Sequence, residues 1–308
     1  MLRLSVPAGE RLQEARALDV HVGGSEANVA FALAQIGVAS SWTSVLPSNP
    51  MGRKVASTLA AGGVDLSTVV WKDEGRVGVY FVEFGSFPRP TEITYDRAGS
   101  AMSLATPDMF DWDRVCQADL LHLSGITSAL SPGCAQVVER AIHEGKAHDC
   151  LVSFDVNFRQ RMWTADAAAR SLREIAAGLD VLICSMEDAR DLLGITGTPE
   201  QCVRALAGNL RAPTTVLTCG GNGALSLQGE ELCSRPGLAV TTVDRIGAGD
   251  AFTAGFLAGF LAGSADKGLE LGLLMSALKM TLHGDLFRFS REEVDAYRQS
   301  GAGREVRR

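Results

Sequence analysis

A chain of 308 residues with 46% hydrophobic and 21% charged side chains can bury a sizeable core and is neither disordered nor coiled-coil in composition. Its formal net charge of −7 argues against nucleic-acid or membrane-surface partners, so an anionic ligand has to be met by a local nest of Arg side chains or helix N-termini. The seven cysteines are dispersed and form no C-x-x-C pair, no apolar run reaches the ~18 residues of a membrane span, and Met1-Leu2-Arg3-Leu4-Ser5 lacks a signal-peptide core; a soluble, cytoplasmic protein with reduced thiols and no zinc site is expected.

Strand-like segments at 2–6 and 18–22 open the chain. Val29, Leu33 and Ile36 then recur at helical spacing, with Ser25 as the expected N-cap and Gly37 as the stop. A strand at 42–46 precedes a second helix marked by Met51, Val55 and Leu59 and ended by Gly62-Gly63. Residues 77–84 and 91–95 read as two strands joined by a loop holding Pro88 and Pro90. No helix separates them, so this hairpin stands outside the main layer. From about residue 106 strands and helices alternate: strand 120–123, helix 132–145, strand 151–156, helix 165–177, strand 181–184, helices 187–193 and 199–209, strand 215–218. A Gly220-Gly221-Asn222-Gly223 turn and a small hairpin beginning at 225–227 follow, then helices at 250–262, 267–282 and 290–298. Such alternation implies a mostly parallel sheet covered on both faces. The residues after Ala302 are expected to be a frayed tail.

Several chemistries are absent. The sole Gly-Lys pair among the five lysines, Gly145-Lys146, is followed by Ala147, so there is no Walker-type phosphate loop. Gly247-Ala248-Gly249 approaches a dinucleotide fingerprint, but Phe252 stands where the third glycine belongs. No nucleophile elbow, zinc-protease or zinc-deaminase pattern occurs. His122, within an apolar strand, is expected to be a satisfied core side chain. What remains is the segment 242–252, in which a strand runs into a turn of small residues and an apolar helix starts at or near Asp250. Small residues let the free amides of a helix N-terminus approach an anion. Asp250 there either caps the helix or, ionised in that nest, takes a proton from a substrate hydroxyl.

Four ordered motifs give the chain a resemblance to the ribokinase-like (PfkB-type) carbohydrate kinases over nearly its whole length. They are Gly23-Gly24-Ser25-Glu26-Ala27-Asn28-Val29-Ala30, Asp155-Val156-Asn157-Phe158-Arg159, Thr218-Cys219-Gly220-Gly221-Asn222-Gly223 and the Asp244 to Phe252 run. The resemblance implies a single α/β domain over 1–308, a ribokinase-like three-layer fold with a mostly parallel central sheet and a small β-sheet lid from about 1–22 and 76–100. It also implies phosphate transfer from ATP, with Mg2+, to a sugar hydroxyl. Asp250 matches the family's base, the amides of Gly247, Ala248 and Gly249 its anion hole, and Gly23, Gly24 and Asn28 its sugar contacts. Ser185, Thr218, Gly220 and Gly223 fall on the nucleotide side. Ser185-Met186-Glu187-Asp188 replaces the family's N-x-x-E run, which leaves Asp188 or Glu187 as the carboxylate near the metal.

Within the family, Tyr80, Tyr95, Arg97 and the run through Arg159 to Trp163 resemble the 2-keto-3-deoxygluconate kinases. A guanidinium at Arg97 or Arg159 suits the carboxylate of such a sugar acid through paired hydrogen bonds. A kinase of fructose or of a 5-keto-2-deoxygluconate type of sugar, and an inactive sugar-binding relative, remain the alternatives. The family opens with a strand ahead of the segment matching 1–7, so a central strand is expected to be missing from the sheet. The lid, with an apolar outer face, is expected to pair with a second copy in a homodimer.

Overall fold

The computed structural model describes residues 1–300, and the expected frayed tail lies outside the described residues. Strands β1 (Leu2–Ser5) and β2 (Asp19–Val22) lead into helix α1 (Ser25–Gln35), strand β3 (Val45–Pro47), helix α2 (Pro50–Ala61) and strand β4 (Val70–Lys72). The hairpin strands β5 (Val79–Glu83) and β6 (Glu92–Asp96) follow, then a short helix α3 (Trp112–Val115). Next come β7 (Leu120–Ser124), α4 (Gly125–Leu130), α5 (Pro132–Ala147), β8 (Leu151–Asp155), α6 (Ala165–Ile175) and β9 (Val181–Ser185). The chain continues through α7 (Met186–Leu193), α8 (Pro199–Leu210), β10 (Thr214–Thr218), β11 (Ala224–Gln228), β12 (Glu231–Arg235), α9 (Ala248–Leu261), α10 (Ala265–Lys279) and α11 (Arg291–Ser300).

The main sheet has the order β12-β11-β10-β9-β8-β7, with β7 to β10 parallel and the β11–β12 hairpin antiparallel. Its strands are apolar on both sides because both sides are covered. Val181, Ile183 and Val216 pack with Val29 of α1, Phe256 of α9 and Met275 of α10. The alternate residues Leu182, Cys184 and Leu217 pack with Ala141, Leu172 and Leu206 on the other face. Helices α9 and α10 meet backbone to backbone. A Cβ on Gly255 would lie 2.7 Å from the Cα of Gly272, and one on Gly259 would lie 2.4 Å from the Cα of Gly268.

The lid is a four-stranded sheet of order β2-β1-β5-β6, built from the segments expected for it. Its cross-strand row His21, Arg3, Tyr80, Tyr95 includes the fully buried Arg3 and the buried Tyr80. The opposite row, Val20, Leu4, Phe81, Thr94, is apolar only in part. Val20 is exposed and Leu4 and Phe81 are half-buried, but Thr94 and its neighbours Glu92 and Asp96 are polar and exposed.

The main sheet stops at β7, while β3 pairs only with β4 in a separate parallel pair. A cavity of about 1820 Å³ is lined by residues 43–46 beside β3, by residues 120–123 of β7 and by Met1. The same cavity is continuous with the cleft that holds Asp250.

Candidate active site

Strands β7, β8, β9 and β10 end side by side. Ser124 is in register with Asp155, and Ser185 with Thr218. Ligands of α/β sheets bind outside these carboxyl ends, and the conspicuous side chains gather there. Helix α9 aims its N-terminus at the same place. Gly247 precedes it with φ 85°, and a Cβ there would strike the Asp285 carbonyl at 2.2 Å, so only glycine fits. Over Gly249 nothing lies within 4 Å of a Cβ position, which leaves room for a ligand. The Ala248 amide donates to the Arg245 carbonyl at 3.2 Å. Of the three amides expected to form an anion hole, that of Ala248 is thus already bonded within the turn, while the space over Gly249 is open.

Asp250 does not cap its helix; Gly247 occupies that position and Asp250 lies in the first turn. Its two carboxylate oxygens accept hydrogen bonds from Ser25 Oγ and Asn28 Nδ2, each at 2.7 Å. Ser25 is correspondingly not the N-cap of α1: Gly24, at φ 138°, is, and the Ser25 hydroxyl is spent on Asp250. Burial raises the Asp250 pKa, opposite to the effect expected of a helix-end nest, while Asn28, Ser25 and the Arg159 charge pull it back. Asn157, at φ 40°, donates to Ser25 Oγ at 3.1 Å and to Asp155 at 3.4 Å, joining β8 to α1.

A second and third carboxylate stand beside Asp250. Burial, with the Asp250 and Asp188 charges, pushes Asp155 from 3.8 to about 8. Burial also raises Asp188, which accepts from the Phe158 amide at 3.4 Å. Arg159 lowers all three. Glu187, the other expected metal ligand, lines the same cleft with a side chain that is 78% exposed and 4.0 Å from Arg190. Among the described residues no three acids, histidines or cysteines form a metal cage. Two half-buried carboxylates resisting ionisation at the mouth of the cleft fit a magnesium ion that arrives with phosphate oxygens and keeps its waters.

On the nucleotide side, Ser185 Oγ accepts from the Asp188 amide at 2.9 Å and caps α7. Thr218 lines the cleft. Beyond it, Gly220 (φ 57°) leaves open space, whereas Gly223 (φ 106°) packs so closely that a Cβ would meet the Arg235 carbonyl at 2.1 Å.

On the sugar side, Gly24, Asn28, Tyr80, Tyr95, Arg97 and Arg159 line one cleft. Gly23 is not among the residues lining it, and a Cβ there would overlap the Asp285 carboxylate at 2.3 Å. The Tyr80 hydroxyl donates to Asp285, and burial and that carboxylate push the phenol far up. Tyr95 carries the Arg97 guanidinium on its ring at 4.2 Å. Arg97 is buried against the sulfurs of Met1 and Met162, and makes no ion pair among the described residues. Burial lowers its pKa, and the positive charge of Arg159, which lines the same cleft, lowers it further.

Sequence reasoning missed Asp285, Arg3, Glu26 and Lys279. Arg3 is fully buried and binds Asp244 at 2.7 Å and Asp285 at 3.1 Å. Glu26 accepts from Ser124 and Thr127 at 2.7 and 2.6 Å. The one available signal was an arginine alternating with leucines at 2–4. The expectation for His122 holds by half: Nδ1 is 2.9 Å from Ser153 Oγ, but Nε2 is buried without a partner, and burial lowers the ring to about 4.

A helix end with free amides, a buried aspartate bonded to a neighbouring helix and two acids at the strand ends define a phosphotransferase of the α/β class. Residues 2–288 match the family model of the pfkB family carbohydrate kinases, and the chain belongs to that family. It is a sugar kinase with the ribokinase-like fold. It is 36% identical to a 2-dehydro-3-deoxygalactonokinase of Haloferax volcanii over 98% of this chain and 95% of that protein. With a 2-dehydro-3-deoxygluconokinase of Thermoproteus tenax it shares 34% identity over 86% of this chain and 81% of the relative. The crystal structure of 2-dehydro-3-deoxygluconokinase from Thermotoga maritima superposes with a TM-score of 0.91 at 32% identity, covering 96% of this chain and 94% of that one. No helix among the described residues is long and apolar enough to cross a membrane.

Proposed function

We propose that the protein transfers the terminal phosphoryl group of ATP to a hydroxyl of a 2-keto-3-deoxy sugar acid, 2-keto-3-deoxygluconate before its C4 epimer. One observation carries the acid: Arg97 and Arg159 both line the cleft that holds Asp250, and Arg97 is buried there with no ion pair among the described residues. A substrate carboxylate supplies the missing anion through charge-assisted hydrogen bonds. Asp250 accepts the proton of the attacking hydroxyl, held in line by Ser25 and Asn28. The amides of Gly247 and Gly249 take up negative charge developing on the phosphoryl oxygens. Asp155 and Asp188 hold magnesium, which when bound neutralises phosphate charge. Thr218 and the Gly220 turn face the nucleotide. The galacto epimer is a second reading, favoured by the Haloferax relative's match over 98% of this chain.

The test is coupled ADP release with 2-keto-3-deoxygluconate, its galacto epimer, 5-keto-2-deoxygluconate and fructose. Turnover is expected with the two 2-keto-3-deoxy acids. Arg97→Met should lower kcat/KM for them roughly 10–200-fold, the effect of losing about 1.5–3 kcal/mol, and barely alter any residual fructose turnover. Preference for fructose, or equal losses on acid and neutral sugars, would overturn the acid reading. Tight sugar binding without turnover would favour the inactive relative.

A further inference from the structure

Of the five lysines, Lys279 alone is fully buried, and lysine is almost never buried without a purpose-built partner. It ends helix α10, where a cation also complements the helix dipole. Its Nζ donates to two main-chain carbonyls, Asp244 O at 3.0 Å and Leu282 O at 3.3 Å. These carbonyls belong to two different segments. One, at 244–247, leads directly into the anion hole. The other, at 282–285, carries the Asp285 carbonyl on which Gly247 rests. The Asp244 carboxylate joins the same pair, accepting the amides of Ile246 and Gly284 at 3.0 Å each.

Carboxylates surround Nζ. Arg3 and Lys279 are two buried cations among the buried Asp244 and Asp285, with Asp250 also acting on the ammonium. Desolvation lowers the Lys279 pKa, while the Asp244 and Asp285 charges oppose it. Removing the lysine leaves two carbonyl oxygens without a donor and takes a positive charge from among these carboxylates, in the two segments that meet at Gly247. An ammonium held by carbonyl oxygens is chemically a fixed monovalent cation.

We propose that Lys279 is a positioning residue whose ammonium is a built-in monovalent cation. It clamps the 244–247 segment against the 282–285 segment, so that the anion hole keeps its aim and the kinase needs no free potassium or ammonium. This rests on the sugar-kinase activity but not on which sugar is used.

The test compares the full-length protein with Lys279→Ala and Lys279→Met in tetramethylammonium chloride, with KCl or NH4Cl added, using the best sugar of the panel. The wild-type rate should be the same within twofold in all three salts. Lys279→Ala should lose roughly 10–100-fold in kcat, the scale of a misaimed oxyanion donor, with little change in KM for sugar or ATP. KCl or NH4Cl should restore much of that kcat and raise the variant's Tm, a readout that needs no turnover. Lys279→Met, whose side chain fills the space, should show the loss without the rescue. Several-fold activation of the wild type by potassium would overturn the proposal, and that measurement stands even if a variant fails to fold. So would a folded Lys279→Ala enzyme with normal kcat, or a loss that neither cation relieves.

Discussion

Asp250 shows how one side chain is tuned by competing effects. Burial favours its neutral form, and two short hydrogen bonds from α1 favour the carboxylate that can accept a proton. Replacing it with Asn keeps the shape and removes the base. Asp250→Asn is expected to lower kcat about 10²–10⁴-fold with an unchanged melting curve. Asn28→Ala, which deletes one of the bonds that lower its pKa, should move the acid limb of the kcat–pH profile upward. Steady-state rates across pH check both, and normal turnover in Asp250→Asn would remove it from the mechanism. Asp250 was legible because Gly-Ala-Gly-Asp can only be a tight turn opening onto a helix. Asp285 was not, since its partner Arg3 lies 282 residues away and neither stands in a recognisable motif. Ser25 was misassigned for a related reason: Ser is a good N-cap by local preference, but a buried carboxylate on another helix binds the same hydroxyl.

At the level of elements, the strand ends concentrate charge that folding alone would avoid. Asp155 terminates β8 beside Asp188 and Asp250, and its pKa stands at about 8. Between roughly pH 4 and 8 the folded chain holds a proton here that the unfolded chain has released. The contribution of Asp155 to stability therefore falls as pH rises through that window. Asp155→Asn removes this dependence, so without magnesium its Tm relative to wild type should increase from pH 5 to pH 8, by about 2–4 °C for each kcal/mol involved. Magnesium should raise the Tm of the wild type at pH 8 more than that of the variant. Thermal melts at four pH values check this, and parallel curves would show that Asp155 is not strained. The elements themselves were largely legible: apolar runs such as 181–184 have no polar face and so must be buried on both sides. Three were not. Val70–Lys72 is three residues long, Trp112–Val115 four, and Gly125–Leu130 is under two helical turns and starts on glycine. Such short pieces owe their shape to neighbours rather than to their own pattern.

Across the whole molecule, the unusual feature is a sheet in two parts. β7 presents one unpaired edge and β3 another, and a single cavity is lined by residues beside both. Apolar side chains, among them Leu46, Leu123 and Val138, line it together with Met1. Strand edges left with unanswered amides and carbonyls are costly. An extended apolar segment of about five or six residues, a common strand length, would answer both edges. Fusing such a segment ahead of Met1 is expected to raise Tm by roughly 5–10 °C, as a few kcal/mol does for a chain of this size. Hydrogen exchange should slow in residues 43–46 and 120–123 and nowhere remote from them. A Gly/Ser segment of equal length is the control, because it supplies no apolar side chains for the slot. If the two fusions melt together, or if exchange at β3 and β7 is unchanged, the two edges do not form a strand site and the split sheet is stable as it stands.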